Sequence, residues 1–196
     1  MTAKHLRIAI ADDELDMREF LAKVLAHLGH DVLVIASNGR ELVERCRKTP
    51  VDLIITDVRM PELDGLQAVR ELCRESPRPV ILISAYHDDE LIQRALQEQV
   101  LAYLVKPITR DQLQPAIVLA MRRYREFEAL RQEADDMRQA LEDRKLIEWA
   151  KGILMTRASL SEPDAFRRMQ KLSGEKSRKM VEIARAIITA EDAFVG

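Results

Sequence analysis

Short apolar runs alternate with amphipathic stretches over the first 110 residues. Five runs have the length and composition of strands: Leu6–Ala11, Val32–Ala36, Leu53–Thr56, Val80–Ser84 and Ala102–Val105. Helical spacing of apolar residues lies between them, at 15–28, 39–48, 65–74 and 88–98, and begins again at 110. Because the runs are apolar throughout, both faces of the sheet should be covered by helices. The pattern predicts an α/β fold with a five-stranded, parallel, doubly wound sheet.

Beyond Thr109 the pattern becomes that of one long helix. Residues 111–144 contain no glycine, and Pro115 lies in the first turn, where proline is tolerated. Apolar residues recur every three or four positions over about four heptads. This apolar stripe comprises Leu113, Ile117, Ala120, Tyr124, Phe127, Leu130, Ala134, Met137 and Leu141. The first turns should pack on the sheet, whereas the later turns predict a coiled-coil linker over 111–143 that forms a homodimer.

Three shorter helical patterns follow. The first covers Arg144–Arg157, and Ser161 is placed to cap the second, with Asp164 where a capping box needs it. Gly174 is expected to end the second helix, and Ser177 to cap the third. Each stripe of apolar residues is too small to fold alone, so the three helices predict a small all-α domain. The predicted organisation is 1–110, 111–143 and 144–192.

Charge is distributed unevenly along the chain. The whole protein has a net charge of −2, with 47 % apolar and 33 % charged residues, which is typical of a soluble globular protein. Residues 144–190 hold 11 Lys and Arg against 5 Asp and Glu, leaving 20 basic and 28 acidic residues elsewhere. An acidic body with a basic C-terminal segment indicates that only this segment meets a polyanion.

Other bulk features predict a cytoplasmic protein that makes no membrane contact. Cys46 and Cys73 lie in helix-like patterns and are expected to be buried, reduced thiols. No run approaches the ~18 apolar residues of a membrane span, and the N-terminus lacks the pattern of a signal peptide.

Polar side chains follow four of the five apolar runs. Asp12 and Asp13 follow the first run, Asp57 the third, and Lys106 the fifth, while Ser84 ends the fourth. The carboxyl ends of parallel strands meet at one edge, so these five side chains should converge. Three neighbouring carboxylates repel one another, and Mg²⁺ is the usual remedy. The cation and the Lys106 ammonium would neutralise a phosphoryl group during its transfer to a carboxylate, and Ser84 would then donate a hydrogen bond to it.

Residues 6–110 resemble the receiver domain of bacterial response regulators, which has a flavodoxin-like fold. The motifs that carry the resemblance are Asp12-Asp13, the stretch Asp57–Gly65, Ser84-Ala85, Tyr103 and Lys106-Pro107. The resemblance implies that Asp57 accepts phosphate from a sensor histidine kinase. It also implies that Asp12, Asp13, Asp57 and the backbone carbonyl of Arg59 hold Mg²⁺, and that no metabolic reaction is catalysed. Ser84 and Tyr103 match the switch pair that reports phosphorylation to the face formed by the fourth helix and fifth strand.

The basic C-terminal segment alone is compatible with three kinds of output. A helix-turn-helix domain that binds DNA, a protein-interaction domain and an RNA-binding domain could each present such a surface. The segment, however, resembles the ANTAR domain of transcription antitermination regulators. The matching stretches are Arg144–Met155, in which Ala150–Met155 is the most specific part, Ser161 with Asp164–Phe166, and Ser177–Met180 with Ile183-Ala184. The sequence departs from the family at Leu172–Glu175, where a small-apolar pair without glycine is more common.

This second resemblance implies binding to paired RNA hairpins in nascent transcripts, which promotes transcription antitermination. Two hairpins would suit a homodimer. The candidate RNA-binding residues, selected mainly by charge and helical position, are Lys151, Gly152, Arg157, Arg168, Lys171, Arg178 and Lys179. A glycine within a helix costs about 1 kcal/mol relative to alanine, so Gly152 should permit close approach of another helix or of a ligand backbone. Trp149 is expected in the core rather than as a base-stacking platform.

Overall fold

The computed structural model describes residues 5–85 and 100–195, with side chains described as far as residue 193. The helix predicted over 88–98 lies outside the described residues. The elements are β1 (Arg7–Ala11), α1 (Leu15–His27), β2 (Asp31–Ala36), α2 (Gly39–Lys48), β3 (Leu53–Asp57), α3 (Gly65–Glu75), β4 (Val80–Ser84), β5 (Val100–Val105), α4 (Arg110–Ala158), α5 (Glu162–Lys176) and α6 (Met180–Val195). The chain divides into two compact units, Met1–Glu128 and Ala129–Gly196.

The first unit contains a single sheet with strand order β2-β1-β3-β4-β5, and every neighbouring pair is parallel. The predicted five-stranded, doubly wound fold is therefore confirmed. The chain leaves β1 toward β2 on one side and later returns to form β3 on the other. This reversal creates the crevice in which such sheets hold their ligands. Ala11 pairs with Thr56, so Asp12 and Asp57 leave the sheet side by side.

Buried residues cover both faces of the sheet. Ala9 and Ala11 of β1 belong to the core beneath α2 and α3, whereas Ile8 and Ile10 belong to the core beneath α1 and the first turns of α4. The stripe residues Leu113, Ile117 and Ala120 are buried in this second core, as expected of the first turns of the long helix. Cys46 and Cys73 are buried, reduced thiols, also as expected, and burial raises the pKa of Cys46 to about 11.

The first helix of the predicted C-terminal domain is not a separate element. Helix α4 runs without interruption from Arg110 to Ala158, because nothing near residue 144 breaks it. Ser161 caps α5 as predicted, accepting a hydrogen bond from the Asp164 backbone N–H. The other two predicted boundaries are wrong: α5 continues through Gly174 to Lys176, and Ser177 does not cap α6. Ser177 instead adopts a left-handed conformation (φ 49°, ψ 41°) that ends α5, donating its N–H to the carbonyl of Gly174.

The second unit has a small apolar core of its own. Ala150, Met169, Ala184 and Ile188 are buried, one or two from each helix of the unit. Partly buried residues surround them: Leu146, Ile147, Ile153, Leu154, Met180 and Ile187. Among the described residues, no helix combines the length and apolarity that crossing a membrane requires.

Candidate functional site

Four carboxylates meet at the carboxyl edge of the sheet. Asp12 is completely buried and Asp57 is 6 % exposed, while Asp13 and Glu14 face solvent. Each offers an oxygen that lies within 4.8 Å of those of the other three. The structure therefore brings together the three aspartates that the sequence places at strand ends, and it adds Glu14.

Lys106 is the cation at the centre of this acidic pocket. Its Nζ lies 3.0 Å from Oδ2 of Asp57, 3.0 Å from Oδ2 of Asp12 and 2.8 Å from Oε1 of Glu14. Burial alone would lower the pKa of Lys106, but hydrogen bonds to these three carboxylates outweigh it and raise the pKa. The backbone helps to position the side chain, because the N–H of Lys106 donates to the carbonyl of Ser84 at 2.8 Å. The peptide bond from Lys106 to Pro107 is cis.

The loop that carries Asp12 and Asp13 is fixed by Arg18. Its Nη1 donates to the carbonyl oxygens of Asp12 at 2.6 Å and Asp13 at 2.9 Å, and the Glu14 N–H donates to Oδ1 of Asp12 at 3.0 Å. Neither Glu14 nor Arg18 was among the site residues predicted from the sequence. The sequence does indicate Glu14 as a site residue, since it directly follows the Asp-Asp pair. No sequence pattern indicates Arg18, because it lies within α1 and binds backbone carbonyls.

The loop that follows Asp57 depends on Gly65. The Gly65 N–H donates to the carbonyl of Val58 at 2.9 Å, and a Cβ atom at Gly65 would lie 1.9 Å from the carbonyl oxygen of Asp57. Only a residue without a side chain lets the start of α3 approach β3 so closely. Asp64 then begins α3 with a capping box completed by Gln67. The Arg59 N–H is 3.4 Å from Oδ1 of Asp57.

The two predicted switch residues lie on the strands beyond Asp57. Ser84 is buried at the end of β4, one residue past Ile83, which pairs with Asp57. Tyr103 is partly buried in β5 and packs against the core beneath α2 and α3.

The pocket has the properties of a magnesium site. Oδ2 of Asp12 is buried and makes no hydrogen bond within the described residues, since its contact with Lys106 lacks hydrogen-bond geometry. Burial raises the pKa of Asp12, and the hydrogen bond from Lys106 only partly opposes this. Four carboxylates around one ammonium leave excess negative charge, and all the donors are oxygens, the ligands that Mg²⁺ prefers. The carboxylates of Asp12, Asp13 and Asp57 are therefore suitable ligands for Mg²⁺.

Two of the seven candidate RNA-binding residues are held in ion pairs inside the second unit. Lys151 is buried at 8 % exposure, and its Nζ lies 2.6 Å from Glu148 and 2.7 Å from Glu162. Hydrogen bonds to these glutamates raise the pKa of Lys151. Arg157 binds Glu191 through both Nε and Nη2, at 2.7 to 3.0 Å. The charges of both residues are therefore already neutralised by the protein.

The remaining candidate cations are exposed. Arg168, Arg178 and Lys179 form no ion pair with any described residue, and Lys171 has only a 3.8 Å contact with Glu175. Arg168 and Lys171 line a shallow groove on α5, with Arg167, Leu172 and Glu175. Arg178 and Lys179 lie in the turn before α6, where Ser173 donates its hydroxyl to the Arg178 carbonyl.

One residue in the first helical segment of the second unit does not lie where the sequence predicts it. Trp149 is 57 % exposed, so its expected place in the core is wrong. The neighbouring Ala150 occupies the core, and one residue along a helix turns the side chain by about 100°. Gly152 is also exposed, and a Cβ atom there would meet nothing within 4 Å, so no helix of the described chain exploits it.

Comparison with known proteins agrees with this architecture. Residues 8–118 match the model of the response regulator receiver domain, and residues 135–188 match the ANTAR domain. PdtaR, a transcriptional regulatory protein of Mycobacterium tuberculosis, is 37 % identical over 182 residues, which cover 93 % of this chain and 89 % of PdtaR. ZraR of Escherichia coli is 34 % identical over 122 residues, covering 62 % of this chain and 27 % of ZraR.

Solved structures match the receiver part. The signal receiver domain of NarL from Mycobacterium tuberculosis is 27 % identical with a TM-score of 0.57, and the match covers 61 % of this chain and 98 % of that domain. A receiver domain protein from Clostridium thermocellum is 30 % identical with a TM-score of 0.57, covering 62 % and 98 %. The chain belongs to the response regulators in which a receiver domain precedes an ANTAR domain.

Proposed function

We propose that this protein is a phosphorylation-dependent response regulator that binds paired RNA hairpins in nascent transcripts and promotes transcription antitermination. The proposal rests on three exposed cations, Arg168, Arg178 and Lys179, which form no ion pair with any described residue. They lie in the second unit, which contains the ANTAR domain and is called the ANTAR unit below. Exposed cations whose charge the protein leaves unpaired attract a polyanion, and they bind phosphates without the need to break an internal ion pair.

The input step is transfer of a phosphoryl group from a sensor histidine kinase to Asp57. The bond from phosphorus to the histidine nitrogen breaks as one to the Asp57 carboxylate forms. Lys106 already lies 3.0 Å from that carboxylate and would follow the negative charge onto the phosphoryl oxygens. Mg²⁺, held by Asp12, Asp13, Asp57 and the Arg59 carbonyl, would supply further neutralisation of this charge. The Ser84 hydroxyl would then donate to the phosphoryl group, and Tyr103 would repack.

The output step is pairing of two copies through α4. Phe127, Leu130, Met137 and Leu141 continue the apolar stripe, and their side chains are 49 to 67 % exposed. Large apolar side chains at heptad spacing that are left exposed in one copy are typical of a coiled-coil interface. Two copies would carry two ANTAR units, one for each hairpin. Phosphorylation at Asp57 would act by biasing this pairing.

The structure changes which residues we assign to the RNA. Arg168, Lys171, Arg178 and Lys179 remain as phosphate contacts, because they are exposed and not neutralised by close ion pairs. Lys151 and Arg157 are reassigned to holding the helices of the unit together, since carboxylates already bind them.

The test is RNA binding by the purified full-length protein, with and without Mg²⁺ and acetyl phosphate, at one fixed salt concentration. The probe is a two-hairpin RNA, and the competitors are a single hairpin and a duplex DNA. We expect the two-hairpin RNA to bind best and the phosphodonor to strengthen binding, with no strengthening in Asp57→Asn. Preference for the DNA would refute the RNA output, and RNA binding that ignores the phosphodonor would refute the switch.

A further inference from the structure

The ANTAR unit exposes an aromatic side chain that its fold does not require. Trp149 is the only tryptophan of the protein, and it is 57 % exposed. The buried core of the unit is formed by Ala150, Met169, Ala184 and Ile188, to which Trp149 does not belong. An exposed indole of this size is a common means of binding a flat ligand.

Open backbone lies beside this indole. Gly152 follows Trp149 by three residues, which places the two on neighbouring positions of the helix surface. Gly152 is exposed, and a Cβ atom there would meet nothing within 4 Å. No packing contact within the described chain therefore explains a glycine at a position where alanine would make a better helix. Together the two residues present an aromatic face next to a helix position that has no side chain of its own, although the Thr156 hydroxyl donates to the Gly152 carbonyl one turn further on.

We infer that Trp149 and Gly152 form a stacking site for an unpaired base of the RNA, an inference that rests on the proposed RNA-binding function. The indole stacks on the base, and the missing side chain at Gly152 gives the attached sugar and phosphate room against the helix. Stacking on an aromatic ring is available to any unpaired base, whereas bases inside a duplex are already stacked and paired. The site therefore binds a base of the hairpin loop, and the exposed cations of α5 and of the turn before α6 bind the phosphates of the stem.

The surroundings favour RNA over a second copy of the chain. Residues 144–190 carry an excess of six positive charges. Among the described residues, Lys145, one turn before Trp149, has an ion pair only with the exposed Glu142, which a phosphate can displace. The apolar stripe ends at Leu141. The next positions at the same spacing of four and then three residues are Lys145 and Glu148, which are charged and exposed. Trp149 is therefore not a member of the stripe.

The single tryptophan makes the site directly observable. The full-length protein, with Mg²⁺ and acetyl phosphate, is titrated with the two-hairpin RNA while indole fluorescence is recorded. We expect the RNA to quench the fluorescence, and a loopless RNA duplex with the same stem to leave it nearly unchanged. In a separate gel-shift assay, Trp149→Leu should weaken binding of the hairpin RNA by about tenfold, and Trp149→Phe should restore most of it.

Gly152→Ala separates a binding role from a structural one. Because a methyl group there would approach no atom of a described neighbouring residue within 4 Å, the variant should have a raised melting temperature. It should nevertheless bind the hairpin RNA several-fold more weakly, since the methyl occupies the space left for the ligand. A variant that binds RNA as the wild type does would overturn the role assigned to Gly152.

The remaining outcomes are distinct. If the wild type binds the hairpin RNA tightly without a change in fluorescence, and Trp149→Leu binds it equally tightly, the stacking site is overturned. The proposed function then still stands. If the indole fluorescence changes with protein concentration in the absence of RNA, Trp149 lies at an interface between copies of the chain. That result also overturns the stacking site. No binding of any RNA refutes the proposed function and this inference together.

Discussion

Replacing Leu141 by glutamine tests the homodimer that the apolar stripe of α4 predicts. Leu141 is 61 % exposed and lies at the end of the stripe. Glutamine is close to leucine in size and helix propensity, so the helix should remain intact and only the apolar contact should be lost. The variant isolates the interface from the stability of the single chain.

The expected magnitude follows from the exposed fraction. Complete burial of a leucine side chain contributes about 1.5–3 kcal/mol, and the 61 % still exposed would contribute ~1–2 kcal/mol on pairing. A symmetric dimer loses this contribution twice, or ~2–4 kcal/mol. The dissociation constant of the dimer should therefore rise by a factor of roughly thirty to several hundred.

Sedimentation equilibrium of the full-length protein with Mg²⁺ and acetyl phosphate measures this constant. The matched control is Leu119→Gln, which changes another exposed leucine of the same helix, 45 % exposed but outside the spacing of the stripe. The control should dimerise as the wild type does. Equal effects of the two variants, or a wild-type protein that stays monomeric at all accessible concentrations with phosphodonor, would refute the reasoning.

Three further variants test the receiver pocket and the division of charges in the ANTAR unit. Gly65→Ala puts a methyl group 1.9 Å from the Asp57 carbonyl oxygen, so the free energy of unfolding, measured by urea titration, should fall by ~1–3 kcal/mol. Asp57 should also incorporate phosphate more slowly. A variant with the wild-type unfolding energy and phosphorylation rate would contradict the close approach. The double variant of Arg178 and Lys179 to alanine should keep its melting temperature and reduce the slope of log binding constant against log salt by about two. Lys151→Met should do the reverse, lowering the melting temperature and leaving the salt slope unchanged, and a reduced slope would return Lys151 to the RNA contacts.

The receiver fold could be predicted from the sequence because its signals are local and consistent. The central strands β3 and β4 are apolar runs covered on both faces, at Leu53–Asp57 and Val80–Ser84, where every position is buried. The edge strand β2 differs, because it leaves Leu33 and Ile35 exposed. Asp12 and Asp57 converge because they lie at the ends of adjacent strands, and the long side chain of Lys106 reaches them from the same edge of the sheet. Arg18 could not be predicted in the same way, because its partners are backbone carbonyls that any sequence presents.

The boundaries of the C-terminal helices were harder to predict, because the deciding interactions are not local. Gly174 is a weak helix former, yet α5 continues past it until Ser177 turns left-handed. Serine usually begins helices, and here it ends one, since the chain must reverse to bring α6 onto the core. Trp149 was misplaced for a related reason: apolar spacing indicates which stripe is buried but not where the stripe's edge meets solvent.

Lys106 and Lys151 show why a lysine held by carboxylates needs its surroundings before it can be given a role. Both are largely buried, and glutamate or aspartate side chains raise the pKa of both. Lys106, however, binds three members of a cluster of four carboxylates, and one of these three is completely buried and short of a hydrogen bond. The pocket therefore keeps negative charge that a metal ion can neutralise. The two partners of Lys151 are exposed glutamates whose remaining charge water can solvate. An incoming phosphoryl group and its cation are therefore expected to rearrange the contacts of Lys106. The ion pairs of Lys151 are complete without a ligand, and they join α4 to α5.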